Sequence, residues 1–506
     1  MQLSPGRDVS RLLEIGVARG GGEIALSSPQ GRWSWRELDV ASHNYAVSLA
    51  AAGVRPGDRV ATLLPNCDVL LIHYLACFKA GYVAVPLNYR YTPSEIDRAL
   101  RTCSPQMLVY DQSRIADIEA ASEVDELPLG TLPWGPSDRA FADLLRGQDS
   151  PPIVPVQEGS APAAIFFTSG STGPAKGVTH SAESLAYIFH TFGRVLELGA
   201  GDAVIALASM SHIGAFIDLF SGLWFGARAV ISPSLDAKDL LATVRADRPT
   251  HGIAIPAVLF SAVQDSEARP GDLASFRLLG TGGDSAPTEM RRLVKALGGP
   301  EINEQFSMTE VGVVTQNPMG AEVKPGSVGT LVPGYELEIR DGRRQPGSPG
   351  EKGRLWVRSP GVMLGYWGSP EATAEVLVDG WFDTGDVLSQ DANGYLWFHG
   401  RQKQIIVHDG SNITPQEVED ALLLHPSISM AGVVGVPDPQ HGENVRAFVT
   451  LTPGVETPDV PSLIAFARTT IGYKAPDSII VLDRLPMTVS NKVDRTALRQ
   501  LSDSTA

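Results

Sequence analysis

An α/β fold, with a large N-terminal domain of β-sheets flanked by helices and a small α+β C-terminal domain, is what the 506-residue sequence predicts. Three features predict it. Helix-like and strand-like segments alternate over the first 130 residues. Short strands between glycine and proline turns take over after residue 320, and a compact α+β pattern of about one hundred residues closes the chain. The boundary falls at Arg401-Gln402-Lys403, giving domains of residues 1–400 and 401–506.

The first element is a helix opened by the capping box Ser34-Trp35-Arg36-Glu37. The serine hydroxyl accepts from the third helical amide and the glutamate reaches back. That helix runs to Ala52 and stops at Gly53; Pro56-Gly57-Asp58 then turns the chain into a buried strand, Arg59 to Leu64. Thr92-Pro93-Ser94-Glu95 opens the next helix, with proline at its first position, and Met107 to Tyr110 is again a strand. Residues 130–162, with Pro133, Pro136, Pro151, Pro152 and Pro155 and the nearby Pro128, read as a surface connection. Later, Gly334 to Ile339 and Gly353 to Val357 read as strands of a β-rich region. A third box, Thr414-Pro415-Gln416-Glu417, opens a helix to His425, followed by strands Ala431 to Val436 and Val445 to Leu451 and a helix over 461–471.

Composition narrows the function classes. At 43% hydrophobic and 19% charged the chain is globular and too long for one simple core. Its net charge of −16 excludes a global basic surface for nucleic acid, so a polyanionic ligand must be met by local cations and backbone N–H groups. Cys67, Cys77 and Cys103 have no CxxC spacing and fit buried thiols in a reducing cytoplasm. The longest apolar run, Val69 to Phe78, contains His73 and is too short to span a bilayer, so no transmembrane segment is expected.

The most informative segment is Thr168-Ser169-Gly170-Ser171-Thr172-Gly173-Pro174-Ala175-Lys176-Gly177. It follows the apolar run Ala163 to Phe167 and precedes a helical pattern from Ser181, which reads as a strand-to-helix loop. Glycines let backbone N–H groups turn toward an anion, hydroxyls add donors and the lysine adds a mobile positive charge. The order differs from GxxxxGK[ST], yet the loop reads as a phosphate cradle, with ATP as its ligand. Ten histidines, His180, His190 and His212 among them, show no ligand pair at HExxH-like spacing.

Taken in order with Gly81 to Asn88 (GYVAVPLN), this loop and five further segments resemble the adenylate-forming superfamily, in its acyl-CoA synthetase branch of AMP-dependent acid–thiol ligases. The resemblance covers residues 30 to 500. Gln305 to Glu310 (QFSMTE) is similar to the family's YGxTE: it implies Phe306 as the adenine-stacking ring, Thr309 as an α-phosphate donor and Glu310 as a Mg²⁺ ligand. Phenylalanine here replaces tyrosine, and Ser307 replaces glycine. Gly280 to Asp284 resembles the glycine-rich adenine side, implying Gly282, Gly283 and Asp284 as binding residues. Gly380 to Asp386 resembles the ribose-binding motif, with Asp386 accepting from both ribose hydroxyls, and Arg401 is implied as the ribose arginine. Lys403 is implied as the hinge of a mobile C-terminal domain, and Ser490-Asn491-Lys492 as the catalytic lysine segment, with Asn491 in the family's glycine position.

The implied reaction joins a carboxylate to ATP as acyl-AMP with release of pyrophosphate, then transfers the acyl group to a thiol. Mg²⁺ on Glu310, Lys176 on the pyrophosphate and Lys492 between carboxylate and α-phosphate supply positive charge. The thiol is that of coenzyme A, with an acyl carrier protein as the alternative, facing the Val407 to Asn412 wall where Asp409-Gly410 stands for two glycines. Met210 to Gly214 resembles the acid-pocket segment: His212 matches a common histidine, and Ile213 stands where amino-acid-activating relatives carry aspartate. An apolar residue cannot pair with an ammonium. The implied substrate is therefore a small-molecule apolar acid, a medium or long chain or a bulky ring, with Gly214, Gly282 and Gly283 leaving room. A homodimer is an allowed assembly. A phosphotransferase releasing ADP and a nucleotide-binding regulator remain the rival classes, the latter having little use for both Lys176 and Lys492.

Overall fold

The computed structural model describes residues 8–136, 139–146, 159–168, 175–283, 286–341, 350–409, 411–438, 440–452, 455, 458–488 and 492–504, with 139–140, 403, 412 and 503–504 described by their backbone alone. Among these residues four sheets carry the fold. A seven-stranded sheet runs in the order 365–366, 176–181, 162–168, 83–86, 59–63, 107–111, 131–134. Its strands from Val83–Pro86 outward pair in parallel, as helix crossovers require. A nine-stranded sheet has Leu278–Gly282, Asn303–Met308 and Gly312–Gln316 as successive neighbours.

The helices Asp68–Ala80, Ala182–Val195 and Ile213–Trp224 supply the core's aromatic centre. Phe216 touches Phe220 at 4.5 Å, Tyr74 at 4.8 Å, Phe166 at 5.0 Å and Phe189 at 5.4 Å between ring centroids. Such offset ring contacts hold the helices in one geometry, so the loops above them have a fixed base. The remaining two sheets are five-stranded, one from Glu336–Arg340 to Leu396–Arg401 and one confined to residues 406–481. The latter has its own apolar core around Ile413, Val433 and Leu463.

All three capping boxes form, at Ser34, Thr92 and Thr414. Two expectations need correction. The stretch 130–162 is more than a connection: Thr131–Trp134 is the edge strand of the seven-stranded sheet and Arg139–Arg146 is a helix. Pro133 is tolerated there because an edge strand has a free side on which no N–H is required. The phosphate loop does not lead from strand to helix either. Lys176–Ser181 returns as a strand antiparallel to Pro162–Thr168, so the segment joins two antiparallel strands, and the helix Ala182–Val195 begins only at the far end of the second. No helix among the described residues is long and apolar enough to cross a membrane.

Candidate active site

A cavity of about 560 Å³ lies where residues from both ends of the chain meet, with His212, Gly283, Phe306, Asp386, Arg401 and Lys492 in its wall. Asp386 enters from the strand Trp381–Gln390, directly opposite Arg401 on the neighbouring strand. The guanidinium Nε sits 3.3 Å from Asp386 Oδ1, yet that buried oxygen has no hydrogen-bond partner. Burial pushes the Asp386 carboxyl up to about 6, Glu310 adds to this, and Arg401, Lys492 and Arg354 pull it back. An unpaired acceptor at a cavity wall is a vacancy for a donor, and a pair of ribose hydroxyls fits it.

Lys492 reaches the same space from the C-terminal segment. Its side chain runs along Gly283, where a Cβ would lie 2.9 Å from Lys492 Cε and 3.2 Å from Nζ. Gly283 also has φ +88°, so glycine is required there both for the backbone and for the room it leaves. Beside it, Glu304 accepts from the N–H groups of Ala286 (2.8 Å) and Gly326 (3.1 Å) and pairs with Arg291, pinning the loop. The Phe306 ring faces the cavity at 6.0 Å from Phe398, with 32° between planes, an apolar wall suited to a flat base.

His212 caps the start of Ile213–Trp224. Asn88, at the end of GYVAVPLN, accepts the Arg90 N–H on Oδ1 (2.9 Å), which leaves its Nδ2 to donate to His212 Nε2 at 3.0 Å. The neutral imidazole therefore carries its proton on Nδ1. Burial, and then Lys492, lower the His212 pKa to about 4, so it is uncharged near neutrality.

Lys176 is exposed and lies over the Tyr366 ring at 4.5 Å, and the Tyr366 hydroxyl donates to Glu310 Oε1 at 3.0 Å. The hairpin strand that carries Lys176 also carries His180, whose Nε2–H donates to the Thr309 carbonyl at 2.7 Å. The strand Lys176–Ser181 is thus tied to the Thr309-Glu310 turn. Glu310 is buried, and among the described residues its only side-chain hydrogen bond is the one from Tyr366 to Oε1, so its second oxygen could hold a hard cation.

The structure brings His212, Gly283, Phe306, Asp386, Arg401 and Lys492 into one cavity. Thr168 ends its strand at the loop, and Gly282 ends the strand before Gly283. Ile213 is buried in the helix. Ser169, Gly170, Ser171, Thr172, Gly173, Asp284 and Gly410 lie outside the described residues, as does the side chain of Lys403. Asp409 is not in the cavity wall; at φ +49° it accepts from His441 Nδ1 at 2.8 Å on an outer face. His408, Asp409 and His441 offer ligand atoms within 4.8 Å of one another, a grouping that no local spacing announces. Sequence reasoning also missed Tyr366, His180 and Glu304, which act through other residues and carry no motif of their own.

Comparison with known proteins accords with this geometry. A family model described as AMP-binding enzyme matches residues 13–367, and one described as AMP-binding enzyme C-terminal domain matches residues 417–492. A feruloyl-CoA synthase of Amycolatopsis sp is 35% identical over 475 residues, covering 92% of this chain and 93% of that protein. An indoleacetate–CoA ligase of Aromatoleum aromaticum is 32% identical over 493 residues, covering 95% of each. The crystal structure of an anthranilate CoA ligase in complex with anthranoyl-AMP superposes with a TM-score of 0.92 at 26% identity, over 100% of both chains.

Proposed function

The chain belongs to the AMP-binding enzyme family, as an AMP-forming acyl-CoA synthetase, and from that premise we propose that it activates an apolar ring-bearing carboxylic acid as its acyl-AMP and passes the acyl group to the thiol of CoA. The observation that carries this reading is the meeting of Lys492 with Gly283, His212 and Asp386 in one cavity. A carboxylate attacking a triphosphate works against like charge: at 4 Å each pair costs ~1 kcal/mol in water and ~4 at an effective dielectric of 20. A carboxylate oxygen bonds to the α-phosphorus as the bond to pyrophosphate breaks, and Lys492 stands where both anions would meet its ammonium. Asp386 and Arg401 hold the ribose, Phe306 faces the base, and Thr309 and Lys176 meet the phosphates. Mg²⁺, when held by Glu310, would neutralise phosphate charge. In the second step the thiol sulfur attacks the acyl carbon, its proton leaves to solvent, and AMP departs.

Residues 401–506 act as a mobile domain in this reading, turning at Lys403 to withdraw Lys492 and bring the Asp409-Gly410 segment toward the thiol. For the acid, Ile213 offers no partner for an ammonium, and a Cβ on Gly214 would meet no atom within 4 Å. Ferulate, indoleacetate and anthranilate, the acids named for the similar proteins, all carry rings. The test is mass spectrometry of products from ATP, Mg²⁺ and a panel of ring and straight-chain acids, with and without CoA. AMP and an acyl-CoA from ring acids are expected; ADP, or turnover of straight chains alone, would overturn the proposal.

A further inference from the structure

Resting on the ring-acid reading above, we propose that Asp218 is a specificity-determining residue that takes a hydrogen-bond donor, a hydroxyl or N–H, borne on the far side of the substrate's ring. The placement comes from one helix. Ile213–Trp224 starts at His212, which lines the cavity, and Gly214 is half-buried with no atom within 4 Å of an added Cβ, so the helix faces open space there. Asp218 is four residues on, hence on the same face one turn deeper. Six residues beyond His212 at ~1.5 Å rise each is about 9 Å of helix axis, on the order of the length of an aryl-propenoic acid.

What stands at that depth is unusual. Asp218 is 3% exposed, its Oδ1 has no hydrogen-bond partner, and no ion pair reaches it among the described residues. Other buried carboxyls have a donor or a cation at hand: Asp68 accepts from Trp33, Glu304 pairs with Arg291 and Glu419 with Arg495, and Asp386, whose Oδ1 also lacks a hydrogen bond, has the Arg401 guanidinium 3.3 Å away. Ser221, three residues further along the same face, also buries a hydroxyl without a partner. Phe216 and Phe220 occupy the opposite side of the helix, in the aromatic core. Burial alone drives the Asp218 carboxyl well above the ordinary range, so it stays protonated and can both accept and donate.

A buried polar group left unpaired costs roughly 1–3 kcal/mol. Two such groups side by side on a helix that reaches the reaction cavity are explained if the ligand supplies the missing partner. A plain methylene chain would leave both unsatisfied, whereas a ring with a distal hydroxyl or N–H would not.

The test compares kcat/KM for 3-phenylpropenoic acid and its 4-hydroxy analogue, measured as pyrophosphate release, in the native protein and in Asp218→Leu. A preference of tenfold or more for the hydroxylated acid is expected natively, the size of about 1.4 kcal/mol of hydrogen bonding. In Asp218→Leu the ratio should fall to about one or invert, and Asp218→Asn should restore part of it. Both acids are read on one preparation, so loss of folded protein cancels from the ratio. No native preference, or a ratio that Asp218→Leu leaves unchanged, would overturn the assignment while leaving the ring-acid reading intact. Turnover of decanoic acid with neither ring acid used would remove that reading and this inference together.

Discussion

Asp386 and Asp218 are both buried carboxyls in one enzyme, and they differ in company. Asp386 has Arg401 at 3.3 Å and feels Lys492 and Arg354, which hold its pKa to about 6 against burial. Asp218 Oδ1 has no hydrogen-bond partner and the carboxyl no ion pair among the described residues, and burial carries it well above its ordinary range. Desolvation acts on both; the compensating charge is what separates them. The cavity wall at Asp386 is therefore set up to present an anion near neutrality, whereas the helix interior at Asp218 favours a neutral carboxyl.

Removing a cation at the nucleotide end should have the largest effect. Lys492→Ala is expected to lower acyl-AMP formation by about 10²–10³ or more. Conversion of supplied acyl-adenylate to thioester should change far less, as separate half-reaction assays would show; equal losses would break the division of labour. Next, Asp386→Asn should weaken ATP binding by roughly 1.5–3 kcal/mol, about 10- to 100-fold, because an amide replaces the charged acceptor. In the native protein ATP affinity should decline as pH drops through about 6, where Asp386 takes up a proton. Calorimetric titration between about pH 5 and 8 should find this limb absent in Asp386→Asn. Arg401→Ala should move the limb to higher pH, since it removes a cation that favours the carboxylate.

The smallest effect concerns stability at the other end. The folded-state pKa of Asp218 lies above its ordinary 3.8, so its contribution is fully present below that value and is lost as pH rises toward the folded pKa. Each pH unit in that window costs about 1.4 kcal/mol at most. Asp218→Leu should thus gain on the native protein in denaturant midpoint as pH climbs from about 4 to 7. Parallel pH profiles would show that Asp218 has a partner in the free protein and would erase the contrast with Asp386.

The local order of the chain could be read without coordinates. Ser34, Thr92 and Thr414 cap the helices their boxes announce, because capping joins residues three apart. The motif segments were legible for the same reason: residue type and spacing lie within a few positions of one another. Errors arose where partners are distant. Lys176–Ser181 turned out to be a strand because Pro162–Thr168 and Gly365–Tyr366 flank it, and Pro133 sits in a strand because that strand is an edge. Asp218 carries no signal inside Ile213–Trp224, since nothing in an apolar run tells whether a lone carboxyl will find a counter-charge.

By itself, then, the sequence determined the α/β class, the family to which the chain belongs, and the residue types available for phosphate, ribose and acid. Only the tertiary structure decided which of them meet. It set Lys492 against Gly283, Asp386 beside Arg401 and Asn88 on His212, and it left Asp218 Oδ1 without a hydrogen-bond partner among the described residues. The physical reason is that capping and turn formation are settled within a few residues, whereas charge compensation and desolvation depend on distances that only the packed fold defines.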